Sequence, residues 1–185
     1  MEQPPLEDFD LPPPPPTPDS ITREFLARTP DDALEESLFA YVLSLVKDDI
    51  SYDSPILRAL PEGLRAHFVV SVLDAEVCNG GFAQFFFNSS GQVGPSSAEA
   101  FAFFGLPLVA DIVEEAMQIH VHRAPRLDSA RDQGTIEAFM KTYQDDPFRS
   151  VSERYLALSD EIRSARIRHI RAHPELFVHP TGGTA

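Results

Sequence analysis

Eight of the 17 prolines lie between Pro4 and Pro18, five of them consecutive from Pro12 to Pro16, and that run decides where a core can begin. Proline lacks a backbone N–H and fixes φ at about −65°, so this segment can neither sustain a helix nor join a ladder, and an extended polyproline-like tail is expected. The first 20 residues carry Glu2, Glu7, Asp8, Asp10 and Asp19 with no Lys or Arg. That is the reverse of the basic and then apolar opening of a secretory leader, so none is expected. The expected division is a disordered, acidic, proline-rich tail over residues 1–18, one folded domain over 19–178 and a flexible C-terminus over 179–185.

The other prolines are spread along the chain and read as punctuation between helices. Thr29-Pro30-Asp31-Asp32 predicts a helix start, with Thr29 as cap and Pro30 in the first helical position. Leu34, Leu38, Tyr41, Val42 and Leu45 then recur at helical spacing and predict a core-facing stripe running to about Lys47. Leu64 to Val77 lacks strict alternation and is too long for an ordinary strand, so it reads as a central buried helix. Asn79-Gly80-Gly81 should break that helix before the aromatic run from Phe82 to Phe87 re-enters it. Further helices are expected over Ser96–Phe104, over Pro107–Ile119 with Leu108, Val109, Ile112, Val113 and Ala116 inward, over Thr135–Tyr143, over Phe148–Leu158 opened by Asp146-Pro147, and over Asp160–His173. No segment combines β-branched alternation with hairpin turn chemistry. The predicted fold is all-α, a single irregular multi-helix bundle.

Several residues invite chemistry. Cys78 lacks a neighbouring base in the sequence and, following Val77 in an apolar helix, is expected to be buried. As the single cysteine it has no internal disulfide partner, which favours a reducing compartment, the cytoplasm. His169 and His173 have the i,i+4 spacing of zinc ligands but no third ligand, and no metal or cofactor is expected. Glu114-Glu115 and Asp145-Asp146 are adjacent in helices and therefore point apart, which suits solvation better than paired acid–base work. Gly80-Gly81 is not followed by the Gly-Lys-Ser or Gly-Lys-Thr of a phosphate loop. No apolar run approaches the ~20 residues of a membrane span. In Glu76 to Gly91, Asn79, Gln84 and Asn88 are interleaved with phenylalanines, which leaves two readings open: amides satisfying backbone groups at a helix break, or a small-ligand or enzymatic pocket in an aromatic wall.

The charge balance is the strongest pointer to function. Fifteen Lys and Arg face 29 Asp and Glu, a formal net charge of −14, so the surface should repel nucleic acid and anionic lipid and attract basic proteins. Positive charge is concentrated late, at Arg163, Arg166, Arg168 and Arg171. Asp31, Asp32, Glu35 and Glu36 form a ladder with ~5 to 6 Å between i,i+3 and i,i+4 partners, a scale comparable to one phosphate charge per ~3.4 Å of a DNA strand. Carboxylates held on a rigid helix are thus able to stand in for phosphates. The acids expected to supply this field are Asp31, Asp32, Glu35, Glu36, Asp48, Asp49, Asp111, Glu114 and Glu115.

The pattern of Asn79, Gly80, Gly81, Phe82, Gln84, Phe86, Asn88 and Gly91, preceded by Glu76, resembles that of the acidic bacterial DNA-mimic protein family. The agreement runs from the helix near Leu34 through Ala100–Gly105 and Val113-Glu114-Glu115-Ala116 to Tyr155 and the ending His173-Pro174-Glu175-Leu176-Phe177. The resemblance implies a helical fold, self-association as a homodimer, binding to the DNA-contacting surface of a basic regulatory protein, and no catalytic residues, while the charge balance and short apolar runs argue against direct nucleic-acid or membrane contact. The motif itself reads as mainly structural. The proline-rich tail lies outside the family pattern, and its five-proline run has the preformed conformation that docks in aromatic grooves of other proteins.

Overall fold

The computed structural model describes residues 17–47, 51, 54–88, 92–137, 140 and 146–180, with the backbone alone at 123–128, 130 and 131. Asp48, Asp49, Gly91, Asp145, most of the helix expected over 135–143 and nearly all of the N-terminal tail lie outside the described residues. The chain forms helices α1 (Arg23–Arg28), α2 (Asp31–Val46), α3 (Pro55–Ala59), α4 (Glu62–Phe87), α5 (Gly94–Phe103), α6 (Pro107–Gln133), α7 (Arg149–Leu156) and α8 (Ser159–Ala172), and then a 3-10 turn over Pro174–Leu176. Among the described residues there is no strand. An isolated bridge pairs Ile21 with His179 through two backbone hydrogen bonds of 2.9 and 2.8 Å. The Tyr41 hydroxyl meets His179 Nδ1 beside it, so the two ends of the described chain are drawn together.

The bundle is built around α4, which packs against α2, α5, α6, α7 and the C-terminal 3-10 turn. Its apolar side chains, Leu64, Phe68, Val70, Leu73, Phe82 and Phe85 among them, are almost completely buried. Apolar surface removed from water contributes ~25 cal/mol per Å², and burial on this scale explains why a valine-rich segment adopts helix against its intrinsic preference. The break expected at Asn79-Gly80-Gly81 is present: Gly80 (φ −156°, ψ 26°) and Gly81 (φ 71°, ψ −177°) leave helical geometry inside α4. Re-aimed in this way, the second half of α4 brings Phe82 edge-on to the ring of Tyr155 in α7.

Four local expectations are corrected. Thr29 does not cap α2; its hydroxyl donates to the Phe25 carbonyl at 2.8 Å and closes α1, while Pro30 takes the cap position of α2 without a side-chain bond. Leu108 is 60% exposed rather than inward. At ~100° per residue it shares the flank of Asp111 and Glu115, whereas Val109, Ile112, Val113 and Ala116 are buried as expected. The helix from Pro107 runs past Ile119 and through Pro125 to Gln133. The carbonyl left unpaired by that proline belongs to Val121, a 66% exposed residue at which water can replace the lost bond. Cys78 is exposed, one step around the helix from buried Val77 and on the flank of Asp74 and Ala75.

Gly81 has a positive φ, and a Cβ there would sit 2.9 Å from Ser152 Oγ, the acceptor of the Phe82 N–H. Gly105 also has a positive φ but open space around it. Gly81→Ala should therefore cost about 2 to 3 kcal/mol, and Gly105→Ala only about 1 kcal/mol, as read from urea unfolding at constant m-value. Equal losses at the two sites would show that the kink is not held against Ser152.

Candidate functional site

The nine acids singled out in the sequence do not form one face. Asp31 is bound by Arg171 of α8, whose Nε donates to Asp31 Oδ1 at 3.0 Å and whose guanidinium also donates to the carbonyls of Leu26 and Thr29. Glu35 is largely buried and paired with Arg166 at 2.8 Å and Arg163 at 3.5 Å. Glu115 is paired with Arg154 of α7. Asp32 and Glu36 on α2, and Asp111 and Glu114 on α6, are exposed and make no ion pair with another described residue. Asp48 and Asp49 lie outside the described residues. The acids of α2 are thus partly neutralised by the basic helix α8, and those of α6 keep most of their charge.

Beneath the α2 acids lies a polar cluster that the sequence reading missed. Arg166, 4% exposed, sits among α2, α4 and α8. Its Nε lies 2.8 Å from Glu35 Oε1, but the N–H is not aimed at the oxygen, so the attraction is Coulombic rather than a well-formed hydrogen bond. Its Nη2 donates to Ser71 Oγ at 2.8 Å, and its Nη1 lies 3.7 Å from Asp74 Oδ2. Asp74 in turn accepts from the Tyr155 hydroxyl at 2.9 Å. His67 is fully buried, with Nε2 3.0 Å from the Glu35 carbonyl and Nδ1 3.4 Å from Arg166 Nη2. Those partners fix a neutral imidazole in which Nε2–H donates and Nδ1 accepts.

The electrostatics follow from this burial. Desolvation and then the Arg166 charge push the His67 pKa down to about 3. Desolvation raises the Glu35 carboxyl above its ordinary range against the lowering pull of Arg166 and Arg163. The Tyr155 phenol is also raised, by burial first and then by the Asp74 carboxylate. Cys78, 3.8 Å from Asp74 Oδ1, is raised by partial burial and by that same carboxylate, the opposite of an activated thiol.

The glycine-rich motif resolves into a clamp. Gln84 Nε2 and Asn88 Nδ2 both donate to Glu76 Oε2, at 2.9 and 2.8 Å, so one carboxylate before the kink holds two amides after it. These amides are committed within α4, and Asn79 is exposed at the break. His169 and His173 do not assemble a metal site: His169 lies against Phe103 and Phe104, His173 faces Glu175 at 3.6 Å, and no group of three potential ligands occurs among the described residues. No described helix is long and apolar enough to cross a membrane.

The domain is acidic in composition and all-helical among its described residues. A model of the DMP19-like protein family matches residues 58–173, well over half of the 185-residue chain. The chain belongs to that family. The match takes in α4 to α8, with the α6 acids and the glycine kink, and begins after the α2 ladder. No curated protein matches the chain.

Removing Arg166 leaves Glu35 and Asp74 without their buried cation. Arg166→Ala should cost about 3 to 5 kcal/mol of unfolding free energy, against less than about 0.5 kcal/mol for Asp32→Asn at the surface. A loss under 1 kcal/mol for Arg166→Ala would mean that the cluster ties nothing together. His67, neutral when folded, takes up a proton on unfolding below its ordinary value of 6.5. Its contribution is therefore complete above pH 6.5 and declines as pH falls toward about 3. The decline is on the order of 1 kcal/mol per pH unit, offset by Glu35, whose raised pKa favours the folded state as acid is added. His67→Gln should flatten this slope between pH 6.5 and 5 in denaturant titrations, and an unchanged slope would assign the acid sensitivity elsewhere.

Proposed function

We propose that this protein is a DNA mimic that binds the DNA-contacting surface of a basic regulatory protein, and that the outer face of α6 presents the charge. What supports the reading is that Asp111 and Glu114 lie inside the family match, on one helix, exposed and without an ion pair among the described residues. Glu115 belongs to the same face but shares its charge with Arg154. Exposed Glu99 on α5 and Glu153 on α7 add acids on two of the helices that pack against α6. Asp32 and Glu36 form a smaller, separate group beside the arginines of α8. The reading involves no catalytic step. It takes the asparagine-glycine-glycine-phenylalanine motif as the device that shapes α4 rather than as the binding surface, and it extends to a homodimer acting in the bacterial cytoplasm.

Charges that face solvent steer a partner through a field screened over ~10 Å at 0.1 M salt, so association should weaken steeply as salt rises. The test immobilises the full chain, an Asp111→Asn/Glu114→Gln variant and an Asp32→Asn/Glu36→Gln variant, and passes host extract over each at low salt. Expected is a DNA-binding protein that the native chain retains and duplex DNA displaces, with the α6 variant binding it about fivefold more weakly, at ~0.5 kcal/mol per charge. Equal retention by the native and α6 columns, or no displacement by DNA, would remove the α6 face as a phosphate stand-in.

A further inference from the structure

Between α1 and the start of α2 runs an open, mostly apolar groove of about 370 Å³, lined by Glu24, Phe25, Arg28, Pro30, Ala33 and Ser37. Phe25 and Pro30 give it an aromatic and a ring-shaped wall. Ser37 is 3% exposed, yet its hydroxyl makes no hydrogen bond to any described residue. Among the described residues it is an unused donor at the edge of a mostly apolar channel. Arg28, 81% exposed, is paired across solvent with Glu24, and such a pair is weak enough to be exchanged for another anion.

We infer that this groove is the docking site of the chain's own proline-rich segment, Leu11–Pro16. The chemistry matches on three counts. A polyproline ligand presents carbonyl acceptors and no N–H, which suits a groove offering the Ser37 O–H and the Arg28 guanidinium as donors. Its rings pack on aromatic walls in a conformation that is already formed before docking. The residues just before it, Glu7, Asp8 and Asp10, are acidic, and α1 carries Arg23 and Arg28.

The connection also fits. The tail joins the fold at Ile21, which is fixed by its bridge to His179, and α1 begins at Arg23, one residue before groove-lining Glu24. The backbone bends at Asp19 and Ser20 just before that anchor. A six-residue polyproline stretch spans about 19 Å, against about 9 Å for the six residues of α1, so the segment is long enough to lie along the whole channel. A tether this short holds the tail at an effective concentration near the millimolar range, so a shallow groove is sufficient. This inference is independent of the charge on α6.

The test compares amide NMR signals of the full chain with those of a chain carrying Pro12→Ser through Pro16→Ser. That change lies outside the packed helices and leaves their core intact. Expected are shifts at Phe25, Arg28, Ala33 and Ser37 that persist unchanged over tenfold dilution, with the α6 signals of Asp111 and Glu114 unmoved. Ser37→Ala in the otherwise native chain should displace the Phe25 and Ala33 signals part of the way toward the serine-tail positions. Groove signals identical in the two chains would overturn the inference. Shifts that fade on dilution would also overturn it, because they would place the tail in the groove of a second copy.

Discussion

The contact on which most of this structure depends is the buried guanidinium of Arg166. It reaches Glu35 in α2 and both Ser71 and Asp74 in α4 from its own place on α8. Three helices that are far apart in sequence are thereby joined through one cation. A buried charge is tolerated only when it is paired, and once Arg166 is placed the positions of Glu35, Asp74 and neutral His67 are constrained with it. Hydrophobic burial around α4 supplies the general driving force, but it is nondirectional; the arginine specifies which faces of α2 and α8 meet. Arg171 repeats the device one turn of α8 later, where it ties Asp31 and the carbonyls that end α1.

The second constraint is the kink at Gly80 and Gly81. A continuous helix from Glu62 to Phe87 would be about 39 Å long, too long to wrap around one small core. Breaking it lets the aromatic half turn back so that Phe82 and Phe85 are buried alongside Phe68. The break is held by Ser152 on one side and by the Glu76 carboxylate, which accepts from Gln84 and Asn88, on the other. The motif with the strongest appearance of a ligand site is therefore an internal brace. Its amides look functional in sequence because two amides and a carboxylate within thirteen residues are also what a polar pocket requires.

Much of the fold was legible because long amphipathic segments carry strong periodicity: α2, α4, α5, α7 and α8 fall close to their expected bounds. Short α1 and α3 were not anticipated, since five or six residues do not complete a recognisable stripe. The buried cluster left a trace that went unread. Ile162, Arg166 and Ile170 form one i,i+4 series, so the arginine occupies a core phase of α8. His67 likewise stands between Leu64 and Phe68 on the buried side of α4. The acid ladder of α2 also divides by phase. At ~100° per residue Asp31 and Glu35 fall with Leu38 and Val42, while Asp32 and Glu36 fall on the opposite side. Treating the four as one solvated surface ignored that division. Knowing that cations await the inward pair required the tertiary fold, because Arg166 and Arg171 are more than 130 residues away along the chain.

That division bears directly on how an acidic fold can imitate a phosphate backbone. A carboxylate is useful to a partner only if it is both rigidly placed and not already neutralised. Asp31 and Glu35 meet the first condition and fail the second, because the arginines that place them also cancel their charge. Asp111 and Glu114 meet both among the described residues, since α6 buries Val109, Ile112, Val113 and Ala116 on its other side and its ion pair to α7 uses Glu115 instead. In a protein with so many acids the distinction between structural and presented charge is set residue by residue, by whether an arginine reaches the carboxylate: Asp31, Glu35 and Glu115 are reached, while Asp32, Glu36, Asp111 and Glu114 pair with no described cation.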